Sequence, residues 1–492
     1  MAAPTVLGVD IGTSSSKGVL VDLDGRVARS AVREHVVSRP RPGWVEMDGR
    51  VWWEEFVALS RELLAGGDED VVAVGVSGMG PCVLLVDEQG EPVRPAILYG
   101  VDTRSGEQIA RLERELGAEE ILRRGGSALS SQAAGAKVAW VAENEPEAYA
   151  RARRLFMPAS WLAHHLTGSY VLDHHSASQC TPLYDAQAVG WYRPWADPIV
   201  GQLELPPLRW PGEVAGEVSP EASRQTGLPA GIPVLTGTID AWSEAVSVGA
   251  QGVGDLMLMY GTTMFLVNTV AGRPTHPSLW GTVGAFPGTR NLAGGMATSG
   301  AITTWLRDLV GTYDYAQLTK LAEEAGPGAD GLLMLPYFAG ERTPVMDPDA
   351  RGTVIGLTLS HTAGDLYRAA LEATAFGVRH NVETLERVGG DVRRIVAVGG
   401  GTQGRLWTQI VSDVLQRPQV VPSQTIGASY GAAFLAAQAV GEPRIEEWNP
   451  VREIRQPRPG LAGDYDELFR LYRELYEQTK PIAHVLAGRQ HR

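Results

Sequence analysis

The chain has 492 residues, of which 44% are hydrophobic and 20% are charged, as expected for a globular protein with a large core and two or three domains. Its formal net charge of -14 argues against nucleic acid or an anionic membrane as its main partner. It has two cysteines, Cys82 and Cys180, which indicates packing residues in a reducing cytoplasm rather than a disulfide framework. The N-terminus lacks the pattern of a secretory signal, and the longest uncharged runs are too short and broken to predict a membrane span.

The start of the chain raises the first functional question. Three short strands are predicted over residues 6–11, 18–23 and 26–32. The first strand holds Asp10 and is followed by Gly12-Thr13-Ser14-Ser15-Ser16-Lys17. One interpretation is a hairpin whose tip happens to be polar. The other is a turn that wraps a phosphate beside a metal-binding aspartate, because small residues let backbone N–H groups approach phosphate oxygens and a carboxylate can hold hydrated Mg²⁺.

Strand-like and helical patterns then alternate, which predicts an α/β protein. Residues 51–66 have helical spacing, and residues 71–87 indicate two buried strands around a glycine-rich turn. Further along, an apolar strand ends at Thr236-Gly237-Thr238, and Asp240 opens a helix of small residues. A carboxylate at this junction can cap the helix, or it can act as a general base, and the pattern alone leaves both open.

The second half begins with a similar pattern. Residues 254–270 run from an apolar segment through Gly261-Thr262-Thr263 into another apolar segment. Two similar hairpins suggest a duplicated architecture with a cleft between the halves, although an unrelated α/β protein could also contain two such hairpins.

Two later segments carry further signals. A long helix is predicted to start with a capping box of Thr362 and Asp365 and to end at Gly389-Gly390. The segment "VAVGGGTQG", residues 396–404, lies between a strand and a helix and permits close approach of a ring or a phosphate. It also fits a weak dinucleotide-binding pattern, but the next strand lacks the acidic residue that such a site needs.

The segment "LLMLPYFAGERTPVMDPDARG", residues 332–352, is a long loop that brings Glu341 and Arg342 side by side. Loops of this specificity are often functional, and a surface ion pair is the simpler alternative.

Together these motifs resemble the FGGY carbohydrate kinases of the actin/hexokinase/Hsp70-like ATPase superfamily. The resemblance runs along nearly the whole chain in the right order, through "GVDIGTSSSK", "RPGWVEMDGRVWWEEF", "GTID", "MYGTT", "FAGERTP" and "VGGGTQG". It implies an α/β fold of two actin-like (ribonuclease H-like) domains, each with a mixed β-sheet core, and an interdomain cleft. Residues 1–245 would bind the sugar and carry the first phosphate loop, and residues 246–492 would bind the nucleotide.

The resemblance also implies residue roles and the cofactors ATP and Mg²⁺. Asp240 would be the catalytic base that deprotonates the sugar hydroxyl, and Asp10 would position Mg²⁺. The implied phosphate-binding residues are Thr13, Ser14, Ser15, Lys17, Gly261, Thr262 and Thr263. The implied contacts to the rest of the nucleotide are Gly300, Thr304, Gly400, Gly401 and Gly404. The implied acceptor-site residues are Met79, Gly80, Asp102 and Arg104, together with Asp240.

The acceptor side departs from xylulokinases, which usually have Gly-Gln-Met-His-Gly where this chain has Ser77-Gly78-Met79-Gly80-Pro81. Loss of an amide and a histidine removes hydrogen-bond partners for sugar hydroxyls and can change selectivity by orders of magnitude. The first expectation is a kinase for a primary hydroxyl of a ketose, a pentulose such as xylulose. The alternatives are a kinase for ribulose, glycerol, erythritol or a hexulose, a catalytically idle nucleotide-binding relative, and a dinucleotide enzyme. The expected partners are a small sugar or polyol and ATP/ADP, with no nucleic acid or membrane; a homodimer is left open.

Overall fold

The computed structural model describes residues 3–67 and 70–490. The chain folds into two compact units. Unit 1 comprises Met1–Gln251, Thr275–Asn291 and Ile426–Pro450, and unit 2 comprises Gly252–Pro274, Leu292–Thr425 and Val451–Arg492. Two segments from the later part of the chain therefore belong to the first unit. The division of sugar and nucleotide binding at residues 245 and 246 stays a prediction.

The strands, in chain order, are β1 (Pro4–Ile11), β2 (Ser15–Asp22), β3 (Val27–Glu34), β4 (Glu46–Met47), β5 (Asp70–Gly78), β6 (Leu84–Val86), β7 (Ala96–Ile97), β8 (Arg154–Phe156), β9 (Leu172–Asp173), β10 (Tyr184–Asp185), β11 (Gly190–Trp191), β12 (Leu208–Arg209), β13 (Val214–Glu217), β14 (Pro233–Leu235), β15 (Thr238–Ile239), β16 (Asp255–Tyr260), β17 (Met264–Val270), β18 (Trp280–Val283), β19 (Arg290–Met296), β20 (Leu333–Leu335), β21 (Thr353–Ile355), β22 (Arg394–Val398), β23 (Gln419–Pro422) and β24 (Val451–Arg455).

The α-helices, in chain order, are α1 (Gly49–Leu64), α2 (Gly106–Leu116), α3 (Ala118–Gly125), α4 (Ala134–Asn144), α5 (Pro146–Arg151), α6 (Pro158–Thr167), α7 (His174–Ser178), α8 (Arg193–Val200), α9 (Pro220–Thr226), α10 (Asp240–Ser247), α11 (Gly300–Val310), α12 (Tyr315–Ala325), α13 (Ala363–Arg387), α14 (Arg405–Leu415), α15 (Ala428–Gln438), α16 (Ile445–Trp448) and α17 (Ala462–Gln490).

Unit 1 is built on a mixed sheet in the order β13-β14-β5-β1-β2-β3, and β15 also pairs with β5. Strands β1, β2 and β3 form consecutive antiparallel pairs, whereas β1 and β5 are parallel. The three strands predicted at the start of the chain are thereby confirmed, as are helix α1 and the two strands β5 and β6 around their glycine-rich turn. The carboxyl ends of β1, β5 and β15 lie side by side, which is where ligands bind in sheets of this kind.

Helix α15 packs on this sheet at unusually close range. A Cβ atom at Gly8 of β1 would lie 2.1 Å from the Ser429 carbonyl oxygen, and one at Gly75 of β5 would lie 1.9 Å from the Ala432 carbonyl oxygen. In the helix, a Cβ at Gly431 would lie 1.9 Å from the carbonyl oxygen of a residue of α10. Because no Cβ fits at these distances, three glycines allow α15 to contact β1, β5 and α10 backbone to backbone.

Unit 2 contains a second mixed sheet, in which β19, β17, β16, β22, β23 and β24 follow one another. The β16–β17 hairpin is antiparallel, and β16, β22 and β23 are parallel neighbours. This confirms the predicted second hairpin and the strand–turn–helix–strand segment. Helix α13 begins with the predicted capping box, in which the Thr362 hydroxyl accepts from the Gly364 N–H and Asp365 accepts from the Thr362 N–H.

The predicted α/β class, with a mixed sheet in each half, is therefore confirmed. Cys82 and Cys180 are both free thiols buried in the core, as expected of packing residues. Over residues 3–67 and 70–490, none of the helices combines the length and apolar character needed to cross a bilayer.

Candidate active site

Asp10 lies at the end of β1, where two neighbouring strands fix its surroundings. Pairing with β2 places it opposite Lys17, and parallel pairing with β5 places it beside Ser77. The Ser77 hydroxyl donates a 2.8 Å hydrogen bond to Asp10 Oδ1, and the aspartate is 9% exposed. Burial, followed by the negative charge of Asp240, raises the pKa of Asp10 to about 7. A cation bound here would relieve both effects.

The phosphate-binding residues predicted in unit 1 lie in the turn after β1, for Thr13 and Ser14, and at the start of β2, for Ser15 and Lys17. The Gly12 N–H donates to the Ser15 carbonyl at 3.0 Å and closes the turn. The Thr13 hydroxyl lies 2.9 Å from the Tyr99 hydroxyl. Ser14 and Lys17 are exposed, so the turn presents a hydroxyl and a cation to solvent.

Asp240 occupies the first position of α10, directly after β15. Thr238 of β15 lies beside Ser77, which is also the neighbour of Asp10, so the two aspartates follow strands that flank β5. Asp240 Oδ1 accepts a 2.7 Å hydrogen bond from the Ala241 N–H, and the helix has no side-chain hydrogen bond at its N-cap. Burial raises the pKa of Asp240 to about 6. A carboxylate with this pKa can accept a proton near neutral pH.

The segment around Asp240 is held by residues that were not predicted from the sequence. The Thr238 hydroxyl donates a 2.8 Å hydrogen bond to the buried Asp173, which also caps α7. The centres of the Trp242 and His175 rings are 3.8 Å apart. Burial lowers the pKa of His175 to about 3, so this ring is neutral at physiological pH. Both contacts fix the entry into α10.

Glu244 is a third carboxylate near the two aspartates and was not predicted. It follows Asp240 by four residues on α10, so both lie on one face of the helix. It is 8% exposed, and its Oε2 would lie 2.7 Å from a Cβ at Gly427, the residue before α15. Burial, followed by the charges of Asp10 and Asp240, raises the pKa of Glu244 to about 7. The sequence signal that could have found it is the four-residue spacing of two acidic residues in an otherwise small and apolar helix.

The turn predicted to face the acceptor is mostly packed against protein. Met79 is fully buried in the hydrophobic core of unit 1, and its N–H donates to the Ile11 carbonyl at 2.7 Å. A Cβ at Gly80 would lie 2.6 Å from Cγ1 of Ile239, the residue before Asp240. Ile239 therefore fills the space that a side chain at position 80 would need. A contact of Met79 or Gly80 with an acceptor stays a prediction.

Asp102 and Arg104 form a buried ion pair, with 2.7 Å between Arg104 Nη2 and Asp102 Oδ2. The same aspartate accepts a 2.6 Å hydrogen bond from the Val45 N–H. Arg104 also pairs with Glu46 at 2.6 Å, and its guanidinium lies 4.0 Å from the centre of the Trp44 ring. Both charged side chains are fully buried. These contacts show a role in the fold of unit 1, and the predicted role in acceptor binding is untested.

In unit 2, the turn of the second hairpin lies against the start of α11. The Gly300 N–H donates to the Gly261 carbonyl at 3.0 Å, and the N–H groups of Ser299 and Ala301 both donate to the Thr262 carbonyl at 3.1 Å. A Cβ at Gly300 would lie 2.6 Å from the Gly261 carbonyl oxygen, so this approach requires glycine. The predicted residues Gly261, Thr262, Thr263 and Gly300 are therefore neighbours. Thr304 lies one turn further along α11.

The triple-glycine segment follows β22, the parallel neighbour of β16, so its turn lies at the same sheet edge as the hairpin turn. Residues Gly400–Gln403 form a short 3-10 helix, and Gly404 is the N-cap of α14. A Cβ at Gly401 would lie 2.8 Å from both Tyr260 and Trp407. Nothing lies within 4 Å of where a Cβ at Gly400 would be. The predicted nucleotide-binding glycines of unit 2 thus occupy one edge of one sheet.

The loop that contains Glu341 does not carry a surface ion pair. Glu341 is 6% exposed, and its Oε1 accepts hydrogen bonds from the N–H groups of Ala297, at 2.8 Å, and Arg342, at 2.7 Å. Burial raises the pKa of Glu341 to about 8. This carboxyl anchors the loop to the end of β19.

Known proteins resemble this chain along most of its length. Residues 5–247 match the model for the N-terminal domain of the FGGY family of carbohydrate kinases, and residues 256–440 match the model for the C-terminal domain. The chain belongs to the FGGY family of carbohydrate kinases. It is therefore a sugar kinase, a phosphotransferase whose phosphoryl donor is ATP.

Individual relatives agree with this assignment. A xylulose kinase of Escherichia coli K12 is 28% identical over 97% of this chain and 99% of that protein. A protein named glycerol kinase 2 from Streptomyces coelicolor is 30% identical over 92% of this chain and 91% of its own length. A crystal structure of a xylulose kinase from Rhodospirillum rubrum has a TM-score of 0.90 and 34% identity, and covers 98% of this chain and 100% of that one. These matches confirm the resemblance drawn from the sequence motifs and its actin/hexokinase-like fold.

The carboxylates also fit the divalent cation that ATP chemistry uses. In the parts of the chain that the structure describes, no group of three or more His, Cys, Asp or Glu side chains is arranged to hold a metal ion directly. Mg²⁺ in such sites keeps several water molecules and needs only one or two carboxylates besides the phosphates. Asp10 is suited to that role, because a bound cation would offset the burial and the charge of Asp240 that raise its pKa.

Proposed function

We propose that this FGGY kinase transfers the γ-phosphoryl group of Mg-ATP to a primary hydroxyl of a ketose, with a pentulose such as xylulose as the first candidate. The observation that carries the proposal is the position of Asp240. It begins a helix beside Asp10, it is buried enough for its pKa to rise to about 6, and its Oδ1 is oriented by the Ala241 N–H. Xylulose kinases among the relatives, matched over nearly the whole chain, favour a pentulose.

In this proposal, Asp240 takes the proton of the sugar hydroxyl as that oxygen attacks phosphorus, which forms the new P–O bond while the bond to ADP breaks. Asp10 would hold hydrated Mg²⁺, which when bound neutralises charge on the phosphates. Ser77 keeps Asp10 in place through its 2.8 Å hydrogen bond.

The remaining predicted residues would bind the nucleotide. The proposed phosphate contacts are Thr13, Ser14, Ser15 and Lys17 from unit 1 and Gly261, Thr262 and Thr263 from unit 2. The proposed contacts to the adenosine side are Gly300, Thr304, Gly400, Gly401 and Gly404. Gly400 supports this assignment, because nothing lies within 4 Å of the position of a Cβ there, so a flat ring could approach its backbone closely.

A second acceptor class, glycerol and related polyols, is favoured by two observations. The 30% identical Streptomyces coelicolor protein is named a glycerol kinase. Around Gly80 the chain offers the apolar side chain of Ile239 rather than a hydrogen-bonding group, which reduces the polar contacts available to a long polyhydroxylated acceptor. We also propose that the enzyme works in the cytoplasm, where a reducing environment suits its two free thiols. Size-exclusion chromatography would test whether it forms a homodimer.

A coupled assay of ADP release with pentuloses, hexuloses, glycerol and tetritols tests the acceptor. We expect turnover with at least one of them, and we expect Asp240→Asn to lose about 10²–10⁴-fold in kcat while still binding ATP. Asparagine has nearly the same shape as aspartate but is not a comparable base. A loss of turnover with retained ATP binding would therefore be due to the lost proton acceptor. Full activity of Asp240→Asn would remove Asp240 as the base. ATP binding without ADP release for every acceptor in the panel would favour the catalytically idle alternative.

A further inference from the structure

His35 lies directly after β3 and contacts the turn at residues 12–16, the first phosphate turn, at two points. Its backbone N–H donates to the Ser14 carbonyl at 3.1 Å. Its ring Nε2 lies 3.1 Å from the Gly12 carbonyl oxygen, and because that oxygen can only accept, the ring nitrogen donates. A single residue, directly after a neighbouring strand, therefore holds the Gly12 and Ser14 carbonyls of the turn.

Glu55 of α1 completes this arrangement. His35 Nδ1 lies 3.1 Å from Glu55 Oε1 and 3.0 Å from Oε2. The Ser16 hydroxyl donates a short hydrogen bond to Glu55 Oε2. The side chains of His35 and Glu55 are 7% and 13% exposed, so little water competes for these bonds. The carboxylate thus links the histidine to the other end of the turn.

The direction of the two carbonyls matters for phosphate binding. In a trans peptide, the C=O and the following N–H point in opposite directions. When His35 holds the Gly12 and Ser14 carbonyls on its own side, the N–H groups of Thr13 and Ser15 point to the opposite side of the turn. Backbone N–H groups fixed in this way form an anion-binding concavity.

We propose that His35 and Glu55 are positioning residues that hold the first phosphate turn with its N–H groups directed at the nucleotide phosphates. This rests on the proposed function, in which that turn binds ATP. Neither residue touches the nucleotide: His35 acts through Gly12 and Ser14, and Glu55 acts through His35 and Ser16. Their removal should therefore weaken binding of the phosphates and leave binding of the nucleoside unchanged.

A nearby ion pair provides a matched control. Arg33 and Glu62 join the same strand and the same helix as His35 and Glu55, but they are 35% and 51% exposed. In the described part of the chain, neither side chain hydrogen-bonds to the turn: the Arg33 guanidinium contacts the Val32 carbonyl and Glu62. Loss of this pair removes a β3–α1 attachment without releasing a carbonyl of the turn.

The test is isothermal titration calorimetry of the full chain with Mg-ATP, Mg-ADP and adenosine, on wild type, His35→Leu, His35→Gln, Glu55→Gln and Glu62→Gln. We expect His35→Leu to weaken ATP and ADP about tenfold, as loss of a charge-assisted hydrogen bond does, with adenosine changed less than about twofold. His35→Gln should recover part of the loss, because its amide can donate to the Gly12 carbonyl. Glu55→Gln keeps the shape of the side chain and should also weaken ATP and ADP binding. Glu62→Gln should bind all three ligands as wild type does.

Two results would overturn the inference. One is unchanged ATP affinity in both His35→Leu and Glu55→Gln. The other is an equal loss of ATP, ADP and adenosine binding, which would show a general effect on folding. Failure of the proposed function is recognised separately, because wild type itself would then not bind ATP, and the inference would fall with it.

Discussion

Replacement of Glu244 by Gln should stabilise this kinase at alkaline pH. In the native state, burial and the charges of Asp10 and Asp240 raise the pKa of Glu244 from 4.5 to about 7. Below about pH 4.5 the carboxyl is protonated in both the folded and the unfolded chain, so it contributes no difference. Above about pH 7 it is ionised in both, and the folded state then carries an ionised group in an unfavourable environment. Stability is therefore lost as pH rises between these values.

The size of the effect follows from the two pKa values. At about 1.4 kcal/mol for each pKa unit, a rise from 4.5 to about 7 corresponds to about 3 kcal/mol of lost stability. Glu244→Gln keeps the shape of the side chain and cannot ionise. We therefore expect the variant to be more stable than wild type by about 3 kcal/mol at pH 8 and equal to it at pH 4.5.

Urea unfolding followed by tryptophan fluorescence at both pH values measures this difference. Glu54→Gln, on the exposed face of α1, is the matched control and should shift neither curve. A variant that is equally or less stable than wild type at pH 8 would refute the reasoning, since it would show that the ionised Glu244 is stabilised by the protein.

Two further predictions concern Asp240 and Arg104. Because the pKa of Asp240 is raised to about 6, kcat/KM should be constant above pH 7 and fall about tenfold per pH unit below pH 6, as the base becomes protonated; a profile that stays flat down to pH 5 would contradict this. Arg104→Met leaves Asp102 without its buried ion-pair partner, whereas Glu46 keeps its ion pair with Arg94, and should lower the free energy of unfolding by about 3–5 kcal/mol in urea titrations. An Arg104→Met variant with unchanged stability and a raised KM for the acceptor would instead support the predicted substrate contact.

Local signals in the sequence were sufficient for much of the fold. Both hairpins, the capping box of α13 and the glycine turn before α14 were predicted because each is encoded in one short contiguous segment of the chain. Helix α15 was not predicted, because it is buried on all sides and its sequence has no apolar stripe with helical spacing. The inclusion of Thr275–Asn291 and Ile426–Pro450 in unit 1 depends on long-range contacts that no local pattern contains.

The same distinction applies to the candidate site. Asp10 and Asp240 could be found because each lies at a strand end beside small residues. In the structure, Ser77 pairs with Asp10 on one side and with Thr238, two residues before Asp240, on the other. Glu244 and the pair of His35 and Glu55 were missed, because their significance depends on which side chains they meet after folding. Asp102 was found from its motif, but the motif does not indicate whether a charged residue faces a ligand or, as the structure shows for Asp102, a buried arginine.

The glycine contacts under α15 restrict how this enzyme can change. A methyl group at Gly8 or Gly75 would push the helix outward and displace β1 and β5, the strands that carry Asp10 and Ser77 near their ends. Variants at these positions should thus lose activity although no ligand is within reach of the new atom. The packing of α15 on β1 and β5 therefore sets the spacing of Asp10, in β1, and Ser77, in β5.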